Sequence, residues 1–198
     1  MTSYLTTARL ELRPFTAADT ELLVDLDSDP EVMRFLTGGR ATGREAVERE
    51  VLPGYLDGYR RHPSFGHFAA YGRADGAFLG WFEFRPLPGG PPGEVELGYR
   101  LRRAAWGRGY ATEGARALVR RGFAELGVER VIAVTMAVNL GSRWVMEKAG
   151  LRLVRTFHQD WPEPIEGAEH GEVEYALERA DLPAAGAAGP VGRPGAPG

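Results

Sequence analysis

The sequence predicts a mixed-sheet α/β fold of about seven strands flanked by helices. Three observations carry that reading. Strand-like and helix-like segments alternate as a strand, helices, three strands, a helix, a strand, a helix and two strands, an order that no doubly wound repeat produces. Glu94–Leu101 alternates polar and apolar residues strictly, as a half-buried strand must. From Ala111 to Leu126 the residues Ala115, Leu118, Val119, Gly122, Phe123 and Leu126 form one apolar stripe at helical spacing.

The elements follow in order. Arg9–Arg13 alternates and meets Pro14, a strand ending. Thr16 or Asp19 caps a helix through Glu21–Leu26, and Pro30 breaks it and opens a second short helix through Phe35. Residues 43–61 read as another helix, with Pro53 and Gly54 as interruptions. Gly66–Tyr71 and Phe78–Phe84 are aromatic-rich strands joined by a turn at Ala74-Asp75-Gly76. The Pro/Gly stretch Pro86–Gly93 is a loop, because strand-like sequence resumes at once. After the striped helix, stopped by Gly127, come a buried strand at Val131–Met136 and a short helix at Gly141–Ala149, closed by Gly150. Leu151–Phe157 and Glu172–Leu177 are closing strands. Residues 1–182 are expected to form one domain. Pro183–Gly198, almost all Pro, Gly and Ala, is expected to be disordered, having too little apolar side chain to offset chain entropy.

Composition narrows the function. The 198 residues contain no cysteine, which removes disulfides, Cys-zinc sites and thiol nucleophiles. A net charge of −3 argues against a nucleic-acid partner. Lys148 is the only lysine, so a GxxxxGK[ST] phosphate loop is absent and Schiff-base chemistry has one candidate. The four histidines show no metal-ligand spacing, and no metal is expected. No apolar run approaches the roughly 20 residues of a membrane helix, and the first residues form no basic-then-apolar signal. The expectation is a cytoplasmic protein without a membrane partner.

The segment Arg102-Arg103-Ala104-Ala105-Trp106-Gly107-Arg108-Gly109-Tyr110-Ala111-Thr112-Glu113 carries the most chemistry. A strand ends, two glycines stand one residue apart, and a long helix begins. Glycines let amides converge without Cβ obstruction. The helix N-terminus adds unpaired N–H donors and partial positive charge, which suits a pyrophosphate. It is not the Rossmann fingerprint, whose third glycine would fall at Thr112. Thirty residues on, after one strand, stands Asn139-Leu140-Gly141-Ser142, followed by Arg143-Trp144-Val145-Met146-Glu147-Lys148-Ala149-Gly150-Leu151.

The pair WGRGYATEGA and NLGSRWVMEKAGL resembles the GNAT superfamily of N-acyltransferases, in particular its RimJ/RimL-like branch of ribosomal-protein-alanine N-acetyltransferases. The opening TARLELRPFTAAD, the strand ELGYRL and the ending EKAGL fit that branch too, so the likeness spans about residues 6–180. It departs at Trp106, where the loop motif usually carries Gln or Arg; Arg102, Arg103 and Arg108 are substitutes for that polar contact.

The resemblance implies the GNAT fold, with a mostly antiparallel central sheet, and acetyl-CoA as co-substrate. The amides of Gly107, Gly109, Tyr110, Ala111 and Thr112, with the Arg108 side of the loop, would hold the CoA pyrophosphate. Backbone groups of Tyr99 and Leu101 would pair with the pantetheine arm where the strand splays from its neighbour, and an amide near Tyr99 would face the thioester carbonyl. Asn139 would bond the pantetheine, or cap a helix, or both. The chemistry is aminolysis of a thioester by a primary amine, a protein N-terminus or a small molecule, in a ternary complex. The amine is mostly protonated at neutral pH and needs a base. Glu96 is the first candidate, Glu94 on the same face the second and Glu83 the third. Many relatives use a tyrosine in the second helix to protonate the leaving thiolate. Here Ser142 holds the corresponding place.

Residues 28–62 and the loops 86–93 and 158–171 are expected to form the acceptor cleft, with Phe35, Tyr55, Tyr59 and Trp161 beside Asp160, Glu163, Glu166 and Glu169. Two alternatives stay open: a transferase for a different acyl-CoA, and a non-catalytic acyl-CoA-binding module. The protein is expected to be a monomer or homodimer.

Overall fold

A computed structural model describes residues 3–159, 161, 163 and 165–182. The tail from Pro183 and Asp160 lie outside the described residues. Eight strands form one sheet: β1 (Leu5–Thr6), β2 (Leu10–Pro14), β3 (Gly66–Gly72), β4 (Phe78–Arg85), β5 (Glu94–Leu101), β6 (Arg130–Met136), β7 (Arg152–Phe157) and β8 (Glu172–Glu178). Their spatial order is β1-β2-β3-β4-β5-β6-β8-β7. All neighbours run antiparallel except β5 and β6. The strand absent from the sequence reading is β1, whose two residues are too few to show a period of two.

The helices are α1 (Thr20–Asp27), α2 (Pro30–Thr37), α3 (Arg44–Ala46), α4 (Leu52–Arg61), α5 (Tyr110–Glu125) and α6 (Leu140–Lys148). Thr16 and Asp19 form a reciprocal capping box on the 3₁₀ turn that leads into α1. Asp29 caps α2 by accepting the Glu31 N–H, with Pro30 in the first turn.

The expected interruption at Pro53 is a change of pitch instead. A π-turn at Val47–Val51 joins α3 to α4, and the Leu52 N–H bonds the Val47 carbonyl five residues back. Proline lacks an N–H and its ring crowds the carbonyl four residues earlier. A widened turn just before it lets the helix continue.

Both faces of the sheet are covered. On one, α5 packs over a core that includes Leu10, Phe68, Phe82, Phe84, Leu97 and Val131. It comes so close that a Cβ at Gly114 would stand 2.2 Å from the Phe82 ring, and one at Gly122 would stand 2.6 Å from Phe84. On the other face Phe15, Leu23, Leu26, Val32, Val47 and Leu52 close over Ala69 and Trp81.

The decisive feature is at the centre. Parallel pairing of β5 with β6 covers only Glu94–Glu96 against Arg130–Ile132. On their outer sides both strands stay paired further, β5 with β4 to Leu101 and β6 with β8 to Met136. Past Glu96 the two middle strands therefore diverge, which opens a wedge in the sheet.

Candidate active site

The wedge is a cavity of about 930 Å³. The end of β5, the loop after it and the first turn of α5 form one wall. Val134–Met136 of β6 and the start of α6 form the opposite wall, and Trp81, Glu83 and α2 close a third side. Glu96, Tyr99, Leu101, Gly107, Gly109, Tyr110, Ala111, Thr112, Asn139 and Ser142, singled out in the sequence for separate reasons, all border this one space. Arg108 lies on the loop but does not border it.

The loop is built to leave amides bare. Gly107 and Gly109 have φ of 69° and 80°, a left-handed conformation that a side chain strains, and Gly109 caps α5 without any side-chain bond. The first main-chain bond made by α5 is from the Glu113 N–H to the Gly109 carbonyl, 3.0 Å. The N–H groups from Gly107 to Thr112 have no acceptor among the described residues, and they meet the positive end of a sixteen-residue helix. Arg9 fixes the loop from outside. It donates to the Arg108 carbonyl at 2.8 Å and pairs with Glu113 at 2.6 Å.

Two of the three loop arginines are committed elsewhere. Arg102 pairs with Asp25 and Arg103 with Asp29 (3.4 Å), so they staple the loop to the helical layer rather than reach the cavity. Trp106 is also a structural substitute. Its indole N–H donates to the Leu101 carbonyl at 2.8 Å. The Leu101 carbonyl therefore already holds one donor, while its N–H stays without an acceptor among the described residues. The Arg102 N–H bonds the Leu79 carbonyl of β4. Strand alternation then turns the backbone groups of Tyr99 and Leu101 the other way, into the wedge.

Across the wedge, the Asn139 side chain accepts the Ser142 N–H (3.2 Å) and donates to the Thr135 hydroxyl (3.0 Å), which fixes the start of α6. The Tyr99 hydroxyl donates to the Ser142 carbonyl (2.9 Å) and lies 3.0 Å from the Ser142 hydroxyl. Burial pushes the Tyr99 hydroxyl pKa upward against the opposing Ser142 bond, so it stays a neutral phenol. The sequence lacks a tyrosine in α6, and the fold presents one to the same place from β5.

The carboxylates sort clearly. Glu94 pairs with Arg130 at 3.1 Å and does not border the cavity, which removes it as a base. Glu96 and Glu83 both border it and share one guanidinium. Arg85 bonds Glu83 directly and lies 3.6 Å from Glu96. Burial first, then the Glu96 charge, pushes Glu83 up to about 7 against the pull of Arg85. Burial also raises Glu96. His67 lies 3.6 Å from Glu83 and stacks on Tyr55 at 3.7 Å. Burial, with Arg85 and Arg100, lowers it to about 3, so it adds no positive charge.

Glu83 reaches the wedge because it faces Gly98 across the β4–β5 ladder. A Cβ on Gly98 would stand 2.8 Å from the Glu83 carboxylate. Sequence reasoning ranked Glu83 last. The E-L-G spacing held the missing signal, a glycine opposite a carboxylate.

On the acceptor side Phe35 and Trp161 border the cavity. Tyr55 and Tyr59 do not; both are packed inward, and the Tyr59 hydroxyl accepts the Phe15 N–H at 2.9 Å. Glu163 and Glu166 pair with Arg40 and Arg34 on the surface, Glu169 faces His170 at 3.6 Å, and none of the three borders the cavity. Trp161 donates to buried Glu172 at 2.7 Å. Leu36, Trp106, Leu140 and Trp144 are large apolar residues left exposed, and all four rim this cavity. Among the described residues no group of three or more His, Cys, Asp or Glu is arranged to hold a metal, and no helix is long and apolar enough to cross a membrane.

Comparison with known proteins gives concordant results. A family model described as an acetyltransferase (GNAT) domain matches residues 9–152. The FsC-acetyl coenzyme A-N(2)-transacetylase of Aspergillus fumigatus is 40% identical over 182 residues, covering 88% of this chain and 76% of that one. Among solved structures, RimL, a ribosomal L7/L12 alpha-N-protein acetyltransferase in complex with coenzyme A, shares the fold at a TM-score of 0.74 and 17% identity, covering 89% of this chain and 98% of its own. A GNAT-family acetyltransferase from Bacillus anthracis aligns at a TM-score of 0.73 and 24% identity, covering 89% and 99%.

Proposed function

Because the chain belongs to the GNAT family of N-acetyltransferases, we propose that it transfers an acetyl group from acetyl-CoA to the primary amine of a small molecule, by direct attack in a ternary complex. One observation carries the reading. Where β5 leaves β6, a row of bare amides, a hydroxyl pair and a proton-accepting carboxyl pair surround one cavity.

The residues fit the donor. Gly107–Thr112 offer unpartnered N–H groups at a helix N-terminus, the arrangement that takes a diphosphate. A Cβ added at Gly107 would meet nothing within 4 Å, so the approach is open. The Tyr99 backbone and the Leu101 N–H form a strand edge for the amide-bearing arm. When acetyl-CoA is bound, it supplies an activated thioester carbonyl.

The chain's own groups manage the protons. Glu96, coupled to Glu83 through Arg85, accepts a proton from the bound ammonium, and the neutral amine attacks. The new C–N bond forms as the C–S bond breaks; the nitrogen gives up its second proton toward the departing sulfur by way of the Ser142 hydroxyl, backed by Tyr99, so that the sulfur leaves as the thiol. General base assistance of this kind is typically worth about 10²–10⁴-fold.

The acceptor assignment rests on two supports. The relative at 40% identity is named for N(2)-acetylation. Arg34–Glu166, Arg40–Glu163 and the approach of Ile165 to Gly38 also tie the 158–171 loop to α2 and the turn that follows it, and bound the acceptor side. A bounded, apolar-rimmed cleft with two carboxylates suits a compact cationic amine with an apolar body. The test is an acetylation screen with mass detection, using small amines and N-terminal peptides in parallel. Acetylation of the amines but not the peptides is expected; preferential acetylation of the peptides would overturn the acceptor assignment.

A further inference from the structure

Among the described residues four carboxylates are buried: Asp19, Asp27, Glu172 and Glu174. A carboxylate taken out of water is costly unless a cation stands beside it. Three of the four have one. Arg13 closes on Asp19 at 2.8 Å, Arg100 pairs with Asp27, and Arg155 reaches Glu174 at 2.6 Å. Glu172 is the exception, and it is the most buried of the set, 2% exposed. It has no cation among the described residues. Its two oxygens take neutral donors, the Trp161 indole N–H at 2.7 Å and the Gln159 main-chain N–H at 3.1 Å. A carboxylate can accept about four hydrogen bonds, so there is room for a further donor.

Glu172 borders the same cavity as the proton-accepting pair. Strand register puts it on the same face of the sheet. Glu96 stands beside Ile132 of β6, Met136 lies two pleats further along, and Glu172 stands beside Met136. Partners in register share a face, and so do residues an even number apart on one strand. Two pleats are about 13 Å along the strand, and two strand spacings add about 10 Å across. Glu172 and Glu96 therefore occupy opposite corners of the cavity. Phe35, Val134, Met136 and Trp161 give the space an apolar lining.

We propose that Glu172 is an acceptor-recognition residue: it binds a second cationic group of the substrate, an ammonium or guanidinium separated by an apolar chain from the amine that reacts. The assignment rests on the small-amine reading above and narrows it to dications. One end of the substrate gives its proton to Glu96 and is acetylated, and the other end brings the charge that Glu172 lacks. The same logic limits the reaction to one acetyl group per diamine. Once one nitrogen is an amide, the molecule no longer has a cation for each corner.

The experiment measures initial rates of acetylation of cadaverine and of pentylamine, which match in chain length and differ by the terminal ammonium. It uses the full chain and Glu172→Gln. The variant keeps the side chain's shape and an oxygen for the Trp161 indole, and its melting temperature checks the fold. The unaltered protein is expected to favour cadaverine by at least about tenfold in kcat/KM, mostly through KM, because a buried charge without its partner is heavily penalised. Mass detection should show the monoacetylated diamine accumulating. In the variant the preference should collapse to what a second reactive nitrogen gives by counting. The comparison on the unaltered protein tests the assignment without relying on the variant to fold. Equal kcat/KM for the two amines there overturns it. So does a preference unchanged in the variant, including an equal loss of both amines, the result expected if Glu172 only holds Trp161 in place. Those outcomes leave the small-amine reading standing. Acetylation of neither amine overturns that reading, and the role of Glu172 with it.

Discussion

At the residue scale, the chemistry turns on two carboxylates that share one guanidinium. Arg85 can neutralise one charge, so Glu83 and Glu96 resist ionising together, and Glu83 lies near 7. Its folded pKa is above its unfolded one, so protonation favours the fold. That stability is fully present below about pH 4.5 and is lost as pH rises through about 7. Glu83→Gln should therefore be more stable than the unaltered protein at pH 8, with the gap closing below pH 4.5, as thermal melts across pH will show. Turnover of the unaltered protein should rise with pH through about 7, and the variant should lose that step.

The hydroxyl pair gives a second prediction at this scale. Ser142→Ala removes the donor toward sulfur but spares the amides, so kcat should fall about tenfold or more with KM for acetyl-CoA little changed. Unchanged kcat in initial-rate assays would remove Ser142 from the step.

At the element scale, the β4–β5 hairpin and the turn into α5 do most of the positioning. Gly98 has no positive φ, so space rather than backbone freedom explains it: its missing Cβ is where the Glu83 carboxylate lies. Gly98→Ala should fold, displace Glu83 and lower kcat about tenfold while moving acetyl-CoA affinity little, since no loop amide is touched. At Gly109 both φ and position matter. Gly109→Val would strain the cap and crowd Arg9, whose guanidinium is 3.3 Å from the added Cβ. CoA binding measured by calorimetry should then fall below detection.

Element type and order were largely legible because hydrophobic periodicity and capping residues are local. The striped helix is α5, Pro30 opens α2 within reach of the Asp29 cap, and the Asp75-Gly76 turn joins β3 to β4. The π-turn before Pro53 was not legible, since a one-residue change of pitch leaves the apolar spacing almost intact. Nor was the two-residue β1.

At the scale of the whole molecule, function depends on the wedge between β5 and β6. The divergence begins at Glu96, two residues before Gly98 and three before Tyr99, so base, glycine slot and hydroxyl pair share its apex. Residues 183–198 are predicted from composition to contribute nothing to this arrangement. A chain ending at Leu182 should melt and turn over like the full one; a large drop in either, by calorimetry or thiol release, would show that the tail docks.

Local signals in the sequence determined the elements, the bare-amide loop with its two glycines, and the capped start of α6 at Asn139, because each depends on residues close together along the chain. Only the tertiary structure decided which charges were spent. It bound Glu94 to Arg130, Arg102 to Asp25 and Arg103 to Asp29, and it left Glu83 with Glu96 facing open space. The physical reason is that a charge's role is set by its burial and its nearest partner, and both are fixed by strand register and helix docking between residues far apart in sequence.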